Sequence, residues 1–103
     1  MSDKSYTIVE LQRLINPIAK RYGVERVLLF GSYARGEAKP ESDIDLRIDH
    51  GDIKDYFELY GFHQELETIL SGTVDIVTTG SLEDKFLSRI ADEEVVLFEQ
   101  SRH

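Results

Sequence analysis

Five residues of this chain combine backbone and side-chain types that could bind a nucleotide and a metal ion. Gly31 and Ser32 directly follow an apolar run, and after ten intervening residues the chain reaches an Asp-x-Asp pair, Asp43 and Asp45. A third carboxylate, Asp75, lies inside a later apolar run. A small backbone at a turn suits phosphate because its N–H groups are accessible, and a few carboxylates suit a divalent cation. Together these residues indicate an enzyme that uses a nucleoside triphosphate with Mg²⁺.

The glycine turn must be positioned by the strand that precedes it. Residues 27–30 read Val-Leu-Leu-Phe, and glycines stand at positions 23 and 31 on either side, which is typical of a buried strand. Gly31 lets the backbone turn and approach a ligand closely, since it has no Cβ. If a short helix begins near Tyr33, the first N–H groups of that helix would point toward an anion.

The Asp-x-Asp pair lies in a segment, 43–49, that alternates strictly between polar and apolar residues. In a strand, residues at i and i+2 share a face, so Asp43 and Asp45 should project together. Two neighbouring carboxylates repel each other, and one tends to take up a proton unless a cation lies between them. The alternate apolar residues would then form the core face: Ile44, Leu46 and Ile48.

Asp75 interrupts a segment rich in β-branched residues, 73–78, that predicts a third strand. A charge in the middle of such a run is costly to bury unless it is paired or coordinated. Asp75 could therefore bind a metal ion or accept a proton from an attacking hydroxyl. Each feature alone has an ordinary explanation, such as a solvated charge on an exposed strand, so the prediction depends on their conjunction.

The stretch from Leu29 to Leu46 resembles the signature of the DNA polymerase beta superfamily of nucleotidyltransferases, in which Gly-Ser precedes Asp-x-Asp by ten to twelve residues. The fuller strings Leu-Phe-Gly-Ser-Tyr-Ala-Arg-Gly-Glu-Ala and Ser-Asp-Ile-Asp-Leu resemble the minimal nucleotidyltransferases (MNT) in particular. Members of that group are often the antitoxin partners of HEPN-domain ribonuclease toxins. The resemblance covers residues 8–99 and is most specific over 28–48.

The resemblance implies a role for each of the five residues. Gly31 and Ser32 would hold the β- and γ-phosphates of the nucleotide, while Asp43 and Asp45 would bind two Mg²⁺ ions. Asp75 would bind the catalytic metal and help to deprotonate the nucleophile. The implied reaction is in-line attack on the α-phosphate with pyrophosphate as the leaving group, and paired metal ions would stabilise the attacking and leaving oxygens.

Arg35 also fits the family pattern, and two interpretations of it remain open. It could support the phosphate turn, or it could pair with a nearby carboxylate. Other phosphate and metal motifs are excluded: the sequence contains no G-x-x-x-x-G-K-[ST] and no G-x-G-x-x-G after a strand. The acidic run is not an EF-hand, because Arg47 stands where an oxygen ligand is needed.

Composition predicts the class of protein and of partner. At 103 residues with 41% hydrophobic content, the chain is long enough for one domain with a modest core. The absence of cysteine excludes disulfides and thiolate metal sites. A net charge of −8 argues against direct nucleic-acid binding and would attract a basic protein partner.

Neither a membrane span nor a signal-peptide pattern is apparent in the sequence. No apolar stretch approaches the ~18 residues that a span needs, and residues 1–5 are polar. We therefore expect a cytoplasmic protein with no membrane association. We also expect a flexible N-terminus at 1–6, a nucleotidyltransferase domain at 7–99 and a flexible tail at 100–103.

The pattern predicts an α/β (α+β) domain with a short mixed sheet and helices packed mainly on one side. A capping box at Thr7 should open a helix that Pro17 kinks or restarts and that Gly23 ends. A second helical region should be capped by Asp52, interrupted near Gly61 and end near residue 70, with Leu59, Phe62, Leu66, Ile69 and Leu70 on its buried face. A third helix is expected at 82–91, and strands at 24–30, 43–49, 73–78 and 94–98.

Three functional hypotheses follow from the residues and the resemblance together. The leading one is an antitoxin that transfers AMP from ATP to a hydroxyl, most plausibly a tyrosine, of a HEPN toxin within a hetero-oligomer. The second is a non-catalytic antitoxin that acts by binding the toxin. The third is nucleotidyl transfer to a small molecule such as an aminoglycoside. Tyr56 and Tyr60 lie one helical turn apart, and we expect them to be exposed and available for a partner contact.

Overall fold

Three α-helices and four strands form in residues 5–100, the part of the chain that the computed structural model describes. In chain order these elements are α1 (Ile8–Tyr22), β1 (Arg26–Phe30), β2 (Ile44–Asp49), α2 (Tyr56–Leu70), β3 (Val74–Thr78), α3 (Asp84–Ala91) and β4 (Val95–Glu99). A 3-10 turn, Thr79–Ser81, joins β3 to α3. Of the predicted flexible ends, residues 1–4 and 101–103 lie outside the described residues. Within the described part, Tyr6 Oη donates to the carbonyl of Leu70 at 2.6 Å.

The strands form one mixed sheet in the order β3-β2-β1-β4. Strand β1 is antiparallel to both of its neighbours, whereas β2 and β3 run parallel. A parallel pair needs a long crossover connection, and α2 supplies it. The α+β architecture and the mixed sheet are as the sequence predicts.

The first helix begins and ends where its capping residues predict. The Thr7 hydroxyl accepts the N–H of Glu10, and the Glu10 carboxylate accepts the N–H of Thr7 in return. Gly23 ends the helix in the left-handed conformation, which glycine adopts without a Cβ penalty. The expectation of a restart at Pro17 is wrong, because the helix is continuous through that residue.

The second helix begins later than predicted and is not interrupted. Asp55, not Asp52, is its N-cap, and its Oδ1 accepts the N–H of Glu58 at 3.0 Å. The N–H of Asp52 instead donates to the carbonyl of Gly23, which holds Asp52 in the connection. At Gly61 a Cβ would lie 2.9 Å from Tyr22 Oη, so this glycine permits close packing of α2 against α1 rather than breaking α2.

The core lies between α1, α2 and one face of the sheet. On α2 the fully buried residues recur at a spacing of four, which leaves the predicted core residue Ile69 46% exposed and off the stripe. No helix within residues 5–100 combines the length and the apolar character that crossing a bilayer would require. The residues that fill this core are Leu11, Ile15, Val27, Leu29, Leu46, Ile48, Phe62, Leu66 and Leu70.

The opposite face of the sheet carries the charged residues of β2 and is covered in part by α3. Phe30 pairs in register with Asp45, so the two side chains share this face. The ring of Phe86 on α3 meets Phe30 edge-on, with centroids 5.9 Å apart. Helices α1 and α2 therefore cover one face and α3 the other, in agreement with helices packed mainly on one side.

A buried ion pair on this second face joins β2 to the turn that precedes β4. Arg47 donates from Nε and Nη2 to both carboxylate oxygens of Glu94, at 2.6 and 2.7 Å, and from Nη1 to Thr79 Oγ1 at 2.7 Å. The side chains of Arg47 and Glu94 are 9% and 7% exposed. The hydrogen bond to Glu94 raises the pKa of the Arg47 guanidinium, although burial opposes it. Strand alternation places Arg47 on this face but does not predict that it is buried.

Substituting Arg47→Met should destabilise the protein by about 3–5 kcal/mol, because Glu94 would remain buried without a cation. Urea unfolding at neutral pH measures this change. The double variant Arg47→Met/Glu94→Leu is the matched control and should recover most of the loss, since both charges are then removed. An equal loss in the single and double variants would contradict this account of the pair.

Candidate active site

The sheet brings two of the three predicted carboxylates side by side. Asp45 on β2 and Asp75 on β3 are direct register partners in the parallel pair, so their side chains lie next to each other on one face of the sheet. Asp45 is half-buried and Asp75 is exposed. The pKa of Asp45 is raised, first by burial and then by the charges of Asp75 and Asp43, while Arg35 lowers it slightly. The site therefore contains carboxylates that repel each other and that solvent can reach.

Asp43 lies just before β2 and is exposed. It is two residues from Asp45, and its charge contributes to the raised pKa of that residue. The spacing along one strand is enough to bring Asp43 near Asp45, as predicted. Asp75 lies near Asp45 because their two strands pair in the sheet.

The glycine turn lies directly against this carboxylate pair. Gly31 has φ +78°, and a Cβ on it would overlap Oδ2 of Asp45. A side chain at this position would thus be both strained and obstructed, which explains why glycine stands here. The turn and the acidic pair, separate in sequence, form one site in the fold.

The expected short helix near Tyr33 reduces to a single helical turn. Arg35 N–H donates to the carbonyl of Gly31 at 3.1 Å, and Glu37 N–H donates to the carbonyl of Ser32 at 2.9 Å. Tyr33 is 7% exposed, so it anchors the turn in the core cluster. Ser32 is half-buried beside it.

Arg35 belongs to this site and pairs with acidic side chains. Its Nε donates to Glu37 Oε1 at 3.0 Å, and its Nη1 lies 3.3 Å from Oε2 of Glu93. The hydrogen bond to Glu37, followed by the one to Glu93, raises the pKa of the guanidinium. Of the two interpretations of Arg35, pairing with a carboxylate is what the structure shows, and its place on the turn leaves phosphate support open.

Glu93 is a site residue that sequence reasoning missed. Its Oε2 accepts the N–H of Gly31 at 2.8 Å, although the two residues are 62 positions apart in sequence. The Glu93–Glu94 dipeptide precedes β4, and its position in the sequence gives no indication that it lies near the glycine turn. Only the return of β4 alongside β1 brings Glu93 to Gly31.

A fourth carboxylate on the same face, Asp49, is held by cations instead. Arg26 Nε donates to Asp49 Oδ2 at 2.6 Å, and the Thr79 hydroxyl donates to Oδ1. Burial favours a higher pKa for Asp49, but the hydrogen bonds from Thr79 and Arg26 and the charges of Arg26 and Arg47 outweigh it and lower the pKa. The surroundings of Asp49 therefore lower its pKa, whereas those of Asp45 raise its pKa.

The chemistry of the Asp45–Asp75 pair fits a divalent cation. Within residues 5–100 no three His, Asp or Glu side chains are grouped so that they could together hold a metal ion. The paired carboxyls instead form an open edge. Burial raises the pKa of Asp45 first and the charges of Asp75 and Asp43 raise it further, and a cation would relieve that repulsion. Mg²⁺ uses one or two carboxylates and completes its coordination with water and phosphate oxygens, so an open carboxylate edge suits it.

Comparison with known sequences is consistent with this site. The chain matches the family model for polymerase beta nucleotidyltransferases over residues 12–103. It is 41% identical to a Methanocaldococcus jannaschii protein provisionally named a protein adenylyltransferase, over 85% of this chain and 95% of that one. It is 31% identical to the protein adenylyltransferase MntA of Thermococcus cleftensis, over 86% and 94% of the two chains.

Solved structures share the fold. A minimal nucleotidyltransferase, so named provisionally, has a TM-score of 0.76 at 27% identity, covering 89% of this chain and 97% of that chain. A toxin–antitoxin complex with AMP-PNP has a TM-score of 0.73 at 23% identity, covering 86% and 73%. A tri-AMPylated Shewanella oneidensis HEPN toxin in complex with its MNT antitoxin has a TM-score of 0.68 at 20% identity, covering 91% and 74%.

Substituting Asp45→Asn should raise the melting temperature at neutral pH by roughly 2–4 °C, the size expected for a repulsion that solvent partly screens. The raised pKa of Asp45 means that its ionised form disfavours the folded state. The difference from wild type should shrink as the pH falls through that raised pKa, because the wild-type carboxyl then takes up a proton. Thermal unfolding at several pH values tests this, and a lower melting temperature for the variant at neutral pH would contradict it.

Proposed function

The chain belongs to the polymerase beta family of nucleotidyltransferases, and we propose that it is an antitoxin that transfers AMP from ATP to a tyrosine hydroxyl of a HEPN-type toxin. The observation that carries the proposal is the contact between Gly31 and Asp45, whose neighbour on the adjacent strand is Asp75. This contact combines backbone donors for phosphate with carboxylates for a divalent cation in one place.

The comparisons support protein as the acceptor. Both relatives carry names that specify protein adenylyl transfer, and each is matched along more than nine-tenths of its length. Two of the solved structures that share the fold are toxin–antitoxin complexes, one with AMP-PNP and one with an AMPylated HEPN toxin. Because this chain matches both relatives along nearly their whole length, their names support a protein acceptor for this chain as well.

The glycine turn is the proposed phosphate site. The N–H of Gly31 donates to a side chain, the Glu93 carboxylate, and Ser32 and Arg35 lie on the same turn. We assign Gly31 and Ser32 to the β- and γ-phosphates, with the Arg35 guanidinium neutralising their charge. The Gly31 N–H and the Arg35 guanidinium both contact the Glu93 carboxylate, and this supports an anion site on the turn.

The three aspartates are the proposed ligands of Mg²⁺, two ions in all. Asp43 and Asp45 would bind the two ions, and Asp75 would bind the catalytic one. When bound, Mg²⁺ neutralises phosphate charge and stabilises the oxygens that attack and leave. Because Asp45 is half-buried between strands, its position is fixed before any ligand arrives.

Asp75 is the proposed acceptor of the proton from the attacking hydroxyl. It is exposed on the edge strand β3, at the open side of the pair, where a partner side chain can reach it. The tyrosine oxygen forms a bond to the α-phosphorus, and the bond from that phosphorus to the bridging oxygen of the β-phosphate breaks. Pyrophosphate leaves, and the hydroxyl proton passes to the carboxylate of Asp75.

The surface of the domain fits a protein partner in a hetero-oligomer. Tyr56, Phe57 and Tyr60 at the start of α2 are 86%, 89% and 65% exposed, as expected for the two tyrosines. Exposed aromatic groups of this kind are typical of protein contacts, and the net charge of −8 favours a basic partner. An ATP-dependent antitoxin would act in the cytoplasm, without contacting nucleic acid or membrane itself.

Incubation with α-labelled ATP, Mg²⁺ and the product of the adjacent gene tests the proposal directly. We expect label on the partner protein and none when Mg²⁺ is chelated. Asp43→Ala should lower the labelling rate at least about a hundredfold, since a metal ligand supports several kcal/mol of transition-state stabilisation and each ~1.4 kcal/mol is a factor of ten. Glu41→Gln, an exposed charge close to Asp43 in sequence, is the matched control and should label normally.

Two other outcomes would replace the proposal with the alternative hypotheses. A stable complex without label, in which Asp43→Ala still neutralises the toxin, would indicate an antitoxin that acts by binding. Label that appears on an aminoglycoside instead of on protein, with drug resistance on expression, would indicate a small-molecule acceptor. Mass spectrometry of the partner after the reaction would identify the modified residue and decide whether it is a tyrosine.

A further inference from the structure

The carboxylate of Glu93 occupies the groups that the phosphate turn would offer to a nucleotide. Its Oε2 accepts the N–H of Gly31 at 2.8 Å, and both of its oxygens lie within 3.3–3.4 Å of Arg35 Nη1. A backbone N–H and a guanidinium that converge on one anion are the same contacts that a phosphate oxygen would make. The Glu93 carboxylate thus makes the contacts on this turn that a bound phosphate would otherwise make.

A phosphate and the Glu93 carboxylate cannot both use the N–H of Gly31, because this group has a single proton to donate. The phosphate and the Glu93 carboxylate are both anions, and the carboxylate of Asp45 lies against Gly31. Three negative charges at this turn would have little positive charge to offset their repulsion. Binding of a triphosphate through Gly31 therefore requires that Glu93 leave.

The backbone that carries Glu93 is held by hydrogen bonds, while its side chain lies next to solvent. The N–H groups of Glu93 and Glu94 both donate to the carbonyl of Ile90, at 3.0 and 3.1 Å, and Glu94 is fixed by Arg47. The Glu93 side chain is 24% exposed, so rotation toward solvent leaves no charge buried. Displacement of the carboxylate needs a side-chain movement and no refolding of the turn.

We propose that Glu93 is an internal competitor for the phosphate site and sets the nucleotide affinity of this protein. The inference rests on the proposed function in one respect, namely that Gly31 and Arg35 receive the nucleotide phosphates. Wild type then binds MgATP more weakly than the same site without the competing carboxylate. Removal of the charge lowers KM for ATP and leaves kcat for AMP transfer unchanged, because Glu93 is displaced before the reaction begins.

Titration calorimetry of the purified protein with MgATP tests the inference, using Glu93→Gln and Glu93→Ala. Both variants should bind MgATP about tenfold more tightly than wild type, the order expected when one charge-assisted hydrogen bond no longer competes. Glu37→Gln is the matched control, since it removes an equal charge from the other side of Arg35 without touching Gly31. Its affinity should stay within about twofold of wild type. Thermal unfolding checks that each variant is folded.

Three results would overturn the inference. The first is an affinity in the Glu93 variants that is equal to or weaker than that of wild type, including undetectable binding throughout. The second is an equal gain in Glu37→Gln, which would show a general charge effect. The third is an unchanged amide resonance of Gly31 in Glu93→Ala without nucleotide, since loss of the 2.8 Å contact must shift it.

Labelling of the partner by the same proteins separates this inference from the proposed function. If wild type and Glu37→Gln label the partner and the Glu93 variants bind MgATP no better, the inference fails and the function stands. If the Glu93 variants bind MgATP about tenfold more tightly and no protein in the set labels the partner, Glu93 competes for the phosphate site as inferred. In that case it is the transfer reaction that fails.

Discussion

The buried ion pair between Arg47 and Glu94 is the constraint on which the charged face of the sheet depends. It links β2 to the turn before β4, and both side chains are almost fully buried. Arg47 is two residues from Asp45 on one strand face, while Glu94 adjoins Glu93. The pair therefore holds the acidic centre, the glycine turn and Glu93 in a single arrangement, and a buried guanidinium keeps its geometry because leaving it unpaired is costly.

The fold divides the carboxylates of one strand into two electrostatic classes. Asp49 lies among Arg26, Arg47 and Thr79, so its pKa is lowered and it remains ionised. Asp45, four residues earlier on the same face, faces other carboxyls, and its pKa is raised. The difference arises from the neighbours on adjacent elements, since both residues are aspartates on the same strand. A cation is accordingly attracted to one end of the face and is superfluous at the other.

Local patterns predicted most elements, because each is governed by short-range chemistry. The capping box at Thr7 and the glycine at position 23 place α1 almost to the residue. The same reasoning chose Asp52 as the cap of α2, where Asp55 serves. Both aspartates precede a helical pattern, but Asp55 accepts the N–H of Glu58, whereas the N–H of Asp52 donates to Gly23. At Gly61 the local preference of glycine is outweighed by its packing against Tyr22.

By itself the sequence determined the family and the mixed fold, and it singled out the residues proposed to bind phosphate and metal, because spacing within single strands and turns needs no knowledge of distant neighbours. The tertiary structure alone decided which residues meet. It set Asp75 beside Asp45, buried Arg47 against Glu94 and brought Glu93 to Gly31 across 62 positions. Such contacts depend on strand order and on pairing between remote segments, and alternation along a strand carries no information about the partner strand.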